Sequence, residues 1–136
     1  MQVSLTRTVT FPAQHRMYRR EWSDNRNREA FGDLVEYHGH DYACTVTVGA
    51  ILDPQSGIVM DLGRLDGILK DEVVEPLQGQ QLNDLITFPG GHQPPPTCEA
   101  LAAWLFRRIA VRLPRGVTLE RVRVAEDPEL YADCTG

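Results

Sequence analysis

Apolar and polar positions alternate over residues 3–13, with Val3, Leu5, Val9, Phe11 and Ala13 on one parity and Thr6, Thr8 and Thr10 on the other. A period of two is the signature of a half-buried strand. Residues 16–36 lose that period. Arg16, Arg19, Arg20, Glu21, Asp24, Arg26, Arg28 and Glu29 are interrupted only by Trp22 and Phe31, which predicts a long charged connection of functional type. Alternation returns at His38 and runs to about Leu52, with Tyr42, Cys44, Val46, Val48 and Ala50 on one face and Thr45 and Thr47 opposite. The segment Asp53-Pro54-Gln55-Ser56-Gly57 has turn composition.

A helical period follows. Leu62, Leu65, Leu69 and Val73 mark a helix that Pro76 is expected to end. Beyond a Gly- and Pro-rich connection, Thr97 is placed to cap a second helix with Glu99 in its first turn. Leu101, Trp104, Leu105 and Ile109 form that helix's apolar stripe, closed by Pro114 to Gly116. Val122, Val124 and Glu126 share one face of a third strand, and Leu130 to Cys134 form a short fourth. The order β-β-α-α-β-β predicts a four-stranded antiparallel sheet with two helices on one face, an α+β layer fold in a single domain over residues 1–136.

Composition narrows the classes. The 136 residues are 42% hydrophobic and 24% charged, enough for one ordinary core. No run of 18 apolar residues occurs, which excludes a membrane-spanning helix, and the N-terminus reads as strand with no signal peptide. A net charge of −5 without an aromatic-flanked basic cluster disfavours nucleic acid. Cys44, Cys98 and Cys134 are an odd set with no C-x-x-C pair, so a reducing, cytoplasmic setting is the default.

Candidate chemistry gathers on histidine. His38 and His40 are two residues apart on one strand and so point the same way. His15 continues the inner parity of Phe11 and Ala13, and pairing of the first two strands would bring it to the other two imidazoles. Three neutral imidazoles with an open fourth position form a catalytic zinc pattern. Two satisfied strand histidines and an unrelated third are the plainer alternative. Cys44 reads as a small core residue. Cys98 stands at a helix N-terminus, where a thiol pKa can fall, although an inert buried cysteine is the simpler reading. Glu126 ends an apolar strand face, which is costly without a partner: either a structural salt bridge or a ligand-binding or proton-handling role.

The motifs F-P-A-Q-H (11–15), F-G (31–32), H-G-H-D-Y (38–42), D-P-Q-S-G-I-V-M-D-L (53–62), V-V-E-P-L (73–77), P-T-C-E-A-L-A (96–102) and V-R-V-A-E (122–126) occur in that order. Together they resemble the 6-pyruvoyl-tetrahydropterin synthase and 6-carboxytetrahydropterin synthase superfamily over nearly the whole chain. The resemblance implies the tunnelling fold (T-fold), a homo-oligomer assembled as a hexamer, and active sites between subunits. It implies a zinc ion (Zn2+) on His15, His38 and His40, and a pterin held by Glu126 with Thr97 and Glu99 nearby. A carboxylate suits the 2-amino and N3 donors of a pterin, and zinc would polarise the side-chain oxygens at ring position 6.

The chain departs from that pattern where protons move. The general-base cysteine that the resemblance implies before H-G-H falls on Leu34, in a segment about two residues shorter than in close relatives. The implied Asp-His pair falls on Gln78 and Gly79, neither of which relays a proton at neutral pH. Some members of the family replace the cysteine with glutamate and cleave the dihydroneopterin side chain. Glu36 invites that comparison but stands one residue closer to His38, and on a strand such a shift reverses the side chain. The leading expectation is therefore a zinc-dependent lyase- or cyclase-type enzyme with altered proton transfer, with Glu36, Tyr37, His92 or Glu126 as candidate proton handlers. A non-catalytic pterin- or purine-like ligand binder, or partner subunit of an active homologue, is second. A working synthase with replaced residues is third.

Overall fold

The computed structural model describes residues 1–136. Its centre is one antiparallel sheet in the order β1-β2-β3-β4. Strand β1 spans Gln2–His15, β2 His38–Ile51, β3 Thr118–Asp127 and β4 Leu130–Cys134. Strands β1 and β2 pair along their full lengths, from Gln2 opposite Ile51 to His15 opposite His38. This register puts Phe11 beside Tyr42, whose rings stack 5.4 Å apart, and continues the buried face through Cys44, Val46 and Val48.

The helices that cover this face lie between β2 and β3. Helix α2 (Leu62–Leu69) is capped by Asp61, whose carboxylate accepts from the Arg64 N–H at 2.9 Å. It continues through a π turn at Lys70–Val74 into α3 (Glu75–Leu77). Helix α4 (Cys98–Ala110) is capped by the Thr97 hydroxyl, which accepts from the Ala100 N–H at 3.1 Å. Leu65, Leu69, Val73 and Leu77 meet Leu101, Leu105 and Ile109 in one core over the sheet. Burying each such side chain contributes about 1.5–3 kcal/mol. The opposite face is polar, with Thr6 bonded to Thr47 and Thr8 to Thr45, each at 2.9 Å.

The α+β order and the four-stranded antiparallel sheet are as the sequence predicts, and two local expectations are corrected. The helix beginning at Leu62 does not stop at Pro76. The π turn resets the bonding register, and Pro76 falls in the opening turn of α3, where proline's fixed φ is compatible with helix. The charged connection at 16–36 also holds helix α1 (Asp24–Phe31) and a 3-10 turn at Gly32–Val35.

Helix α1 is polar nearly all round, which hides it from a hydrophobic period. Ser23 caps it, and its one buried residue is Asn27. The Asn27 amide oxygen accepts from the Arg19 N–H at 2.7 Å, while its nitrogen donates to the carbonyls of Arg19 at 3.0 Å and Ser23 at 3.1 Å. A polar side chain thus does the work usually left to an apolar stripe. Asn27→Ala removes the side-chain partners of the Arg19 N–H and carbonyl and is expected to lower stability by about 1–2 kcal/mol in denaturant titration, with hydrogen exchange rising first in residues 16–31.

Candidate metal centre and ligand pocket

The end of the β1–β2 ladder gathers the histidines. His15 lies opposite His38, and His40 opposite Ala13, so all three imidazoles emerge on the buried face. Their ring centroids are 4.6 Å (His15–His38), 5.1 Å (His15–His40) and 5.2 Å (His38–His40) apart. One nitrogen from each lies within 4.8 Å of the others, close enough to share a metal ion.

Hydrogen bonds sort the nitrogens. His15 Nδ1 donates to the Pro96 carbonyl at 2.9 Å and His38 Nδ1 to the Glu36 carbonyl at 2.9 Å. Placing the proton on Nδ1 leaves each Nε2 with its lone pair, the form that binds metal. His15 Nε2 is buried and unpaired, and His40 Nε2 meets only the Glu126 carboxylate, outside hydrogen-bond geometry. An orphaned His15 nitrogen beside two further imidazoles is what a metal would satisfy, so the donor set fits a zinc-like cation. Burial, above all, holds the His15 pKa below its ordinary 6.5, with the neighbouring His38 and His40 charges acting the same way and the Pro96 bond opposing them.

Beside the cluster stands Glu126, from the end of β3. Its Oε2 lies 2.8 Å from His40 Nε2, and its Oε1 accepts from the Cys98 thiol at 3.6 Å. The side chain is only 15% exposed, so this carboxylate is largely withdrawn from water. Burial and the Glu126 charge push the Cys98 thiol up to about 12. The helix N-terminus does not activate it, contrary to what its position allows; Cys98 is a neutral donor to Glu126. Thr97 precedes it as the α4 cap, and Glu99 is exposed one residue on. The contact between Cys98 and Glu126 is missed by sequence reasoning, because it joins α4 to β3.

The remaining candidates lie outside this cluster. The Glu36 carboxylate is exposed and paired with Arg28 at 2.7 Å. Tyr37 is 39% exposed, with the Arg16 guanidinium 5.1 Å from its ring centroid. His92 is exposed and lines an open cleft with Arg19, Phe88, Thr97 and Glu99. Leu34 is half exposed, and Gln78 and Gly79 are exposed. The segment after α3 serves β1 through backbone and amide groups instead. The Gly79 N–H donates to the Pro12 carbonyl at 2.7 Å, and the Gln80 carbonyl accepts from the Gln14 N–H at 2.9 Å. Asn83 clamps Arg16, accepting from its N–H at 2.9 Å and donating to its carbonyl at 2.9 Å. Nothing in the local period marks Asn83, which stands beside Asp84 in a short polar turn.

A layered α+β protein with three convergent imidazoles and a buried carboxylate at the sheet's end is the class that this geometry defines. The family model for 6-pyruvoyl tetrahydropterin synthase matches residues 4–136, and the chain belongs to that family. It is 32% identical over 127 residues to the 6-pyruvoyl tetrahydrobiopterin synthase of Homo sapiens, covering 92% of this chain and 86% of that protein. It is 29% identical over 129 residues to the dihydroneopterin monophosphate aldolase of Pyrococcus furiosus, covering 95% and 94%. The solved 6-pyruvoyl tetrahydropterin synthase of Caenorhabditis elegans superposes with a TM-score of 0.87 at 26% identity, over 100% of this chain and 96% of that one. The tunnelling fold is thereby established.

His15 sets a pH dependence. Its pKa is lower folded than the 6.5 of a free imidazole, so the unfolded chain takes up the proton first as pH falls. Stability is therefore full above about pH 6.5 and declines below it. Calorimetry of metal-free protein from about pH 7.5 to 5.5 should show a falling Tm, with a shallower slope in His15→Gln.

Proposed function

We propose that this chain is a zinc-dependent lyase of pterin chemistry whose proton-transfer residues differ from those of the family's synthases. The observation that carries the reading is the buried, unpaired His15 Nε2 in the close cluster of His15, His38 and His40, next to Glu126. These three histidines would hold the ion, which when bound polarises oxygens of a substrate side chain. Glu126 would accept the 2-amino and N3 donors of the pterin, with Thr97 and Glu99 at the adjoining start of α4 completing the ring's edge.

Leu34, Gln78 and Gly79 cannot take or relay the proton. Among Glu36, Tyr37, His92 and Glu126, the last reaches the histidine cluster, at 2.8 Å from His40 Nε2. Glu36 is held by Arg28 instead, and Tyr37 and His92 stand in exposed positions. The aldolase relative supports side-chain cleavage. A working synthase is the second reading, favoured by the name of the human relative at 32% identity.

The 1–136 unit would act as one domain in a reducing cytoplasm, with three free cysteines and no helix long and apolar enough to cross a membrane. The outer edges of β1 and β4 leave ladder groups to be covered by further copies, as a hexamer would do.

Protein purified without chelator should carry about one zinc per chain, and His38→Ala should lose it in metal analysis. Absence of metal overturns the zinc-dependent reading. Turnover is followed by mass spectrometry with dihydroneopterin, its monophosphate and its triphosphate. Loss of the side chain supports the lyase; triphosphate elimination supports the synthase; tight pterin binding without turnover makes the chain a ligand binder. Glu126→Gln should lower turnover by about 10²-fold or more: a weakened Kd for the pterin marks loss of the anchor, and a lowered kcat with Kd unchanged marks loss of a proton handler. Glu36→Gln should leave turnover within about threefold, and a larger loss assigns the proton to Glu36.

A further inference from the structure

Tyr42 sits at the centre of the site without a task in the reading above. It is fully buried, its ring stacked on Phe11 at 5.4 Å and set edge-on to His15 at 6.0 Å and His40 at 5.6 Å. Its hydroxyl has no hydrogen-bond partner. The pairing of Ala43 with Ala125, continued by one residue, brings Tyr42 alongside Glu126 on the same face of the sheet. A phenol is protonated at neutral pH and toward a carboxylate it can act only as donor.

A buried, unpaired hydroxyl is destabilising, and phenylalanine would fill the same space without it. Its retention needs a partner that the occupied site supplies. The neighbouring carboxylate has the capacity. Glu126 can accept about four hydrogen bonds. Oε1 already takes the Cys98 thiol, and Oε2 lies against His40 Nε2. That nitrogen cannot serve a metal ion and Oε2 at once. When His40 binds the ion through Nε2, Oε2 loses that neighbour, and the Tyr42 hydroxyl is a buried donor without a partner on the same face of the sheet.

We infer that Tyr42 is a positioning residue for Glu126: in the loaded site its hydroxyl donates to the carboxylate and, with Cys98, fixes the face that Glu126 presents to the N–H groups of a bound pterin. The inference rests on the pterin reading of the site and goes beyond it, because it assigns the anchor's orientation to two neutral donors from β2 and α4. It also separates stability from affinity. A merely structural tyrosine would lose fold stability on becoming phenylalanine, whereas a reserved hydroxyl loses ligand affinity instead.

The test uses full-length, metal-loaded protein and neopterin as a fluorescent probe. Tyr42→Phe should keep its zinc content and keep or raise its Tm, while the Kd for neopterin weakens by about three- to tenfold. An unchanged Kd overturns the inference, and so does a Tm lowered by several degrees, which would show a structural partner for the hydroxyl. If wild-type protein does not bind neopterin, the pterin reading fails and this inference fails with it. If wild type binds and Tyr42→Phe binds equally well, this inference alone fails.

Discussion

The antiparallel ladder between β1 and β2 is the constraint on which everything else rests. Its unbroken register fixes, in one act, which side chains enter the core and where the imidazoles meet. Slipping it by one residue would turn Phe11 or Tyr42 toward solvent and separate His15 from His38. The apolar area buried behind the histidines therefore guarantees their geometry. Burial of Tyr42, Cys44, Val46 and Val48 under the helices supplies the free energy, and the three rings ride at the ladder's end.

Charge is managed at that same end by partners from separate elements. Glu126 is withdrawn from water and meets the first turn of α4 through the Cys98 thiol. The Cys98 thiol supplies a neutral donor, and His40 supplies a nitrogen at contact distance. Such an arrangement suits a site that must offer a carboxylate to a ligand without giving it to a permanent salt bridge, since an arginine there would occupy the acceptor positions that a heterocycle needs.

The segment that follows α3 supports the sheet end through its backbone. Gly79 and Gln80 still brace the end of β1 by backbone hydrogen bonds, and Asn83 still clamps Arg16. Backbone support is indifferent to side-chain identity, so the positions where family resemblance implies an Asp-His pair can become Gln78 and Gly79 while the sheet end keeps its shape. The same holds before the H-G-H motif, where the Gly32–Val35 turn packs through buried Val35 and leaves Leu34 half exposed. The family fold therefore holds with Leu34, Gln78 and Gly79 at these positions.

Much of this was determined by the sequence itself. The period of two in β1 and β2, the helical spacing from Leu62, the Thr97 cap and the H-x-H pair with His15 on the same parity gave the layer architecture and the histidine cluster, because hydrophobic period and strand alternation are local rules. Helix α1 escaped, because its stability comes from Ser23 and the buried amide of Asn27 and not from an apolar stripe. The helix continued past Val73 to Leu77 because a π turn absorbed the effect of Pro76, which no window of residue types discloses. Only the tertiary structure decided the state of Cys98, the pairing of Glu36 with Arg28, and the company of Glu126 and Tyr42. Those depend on which side chains from distant strands and helices share a water-poor space. Desolvation and hydrogen bonding act through space, and the order of residues along the chain does not contain them until the fold brings them together.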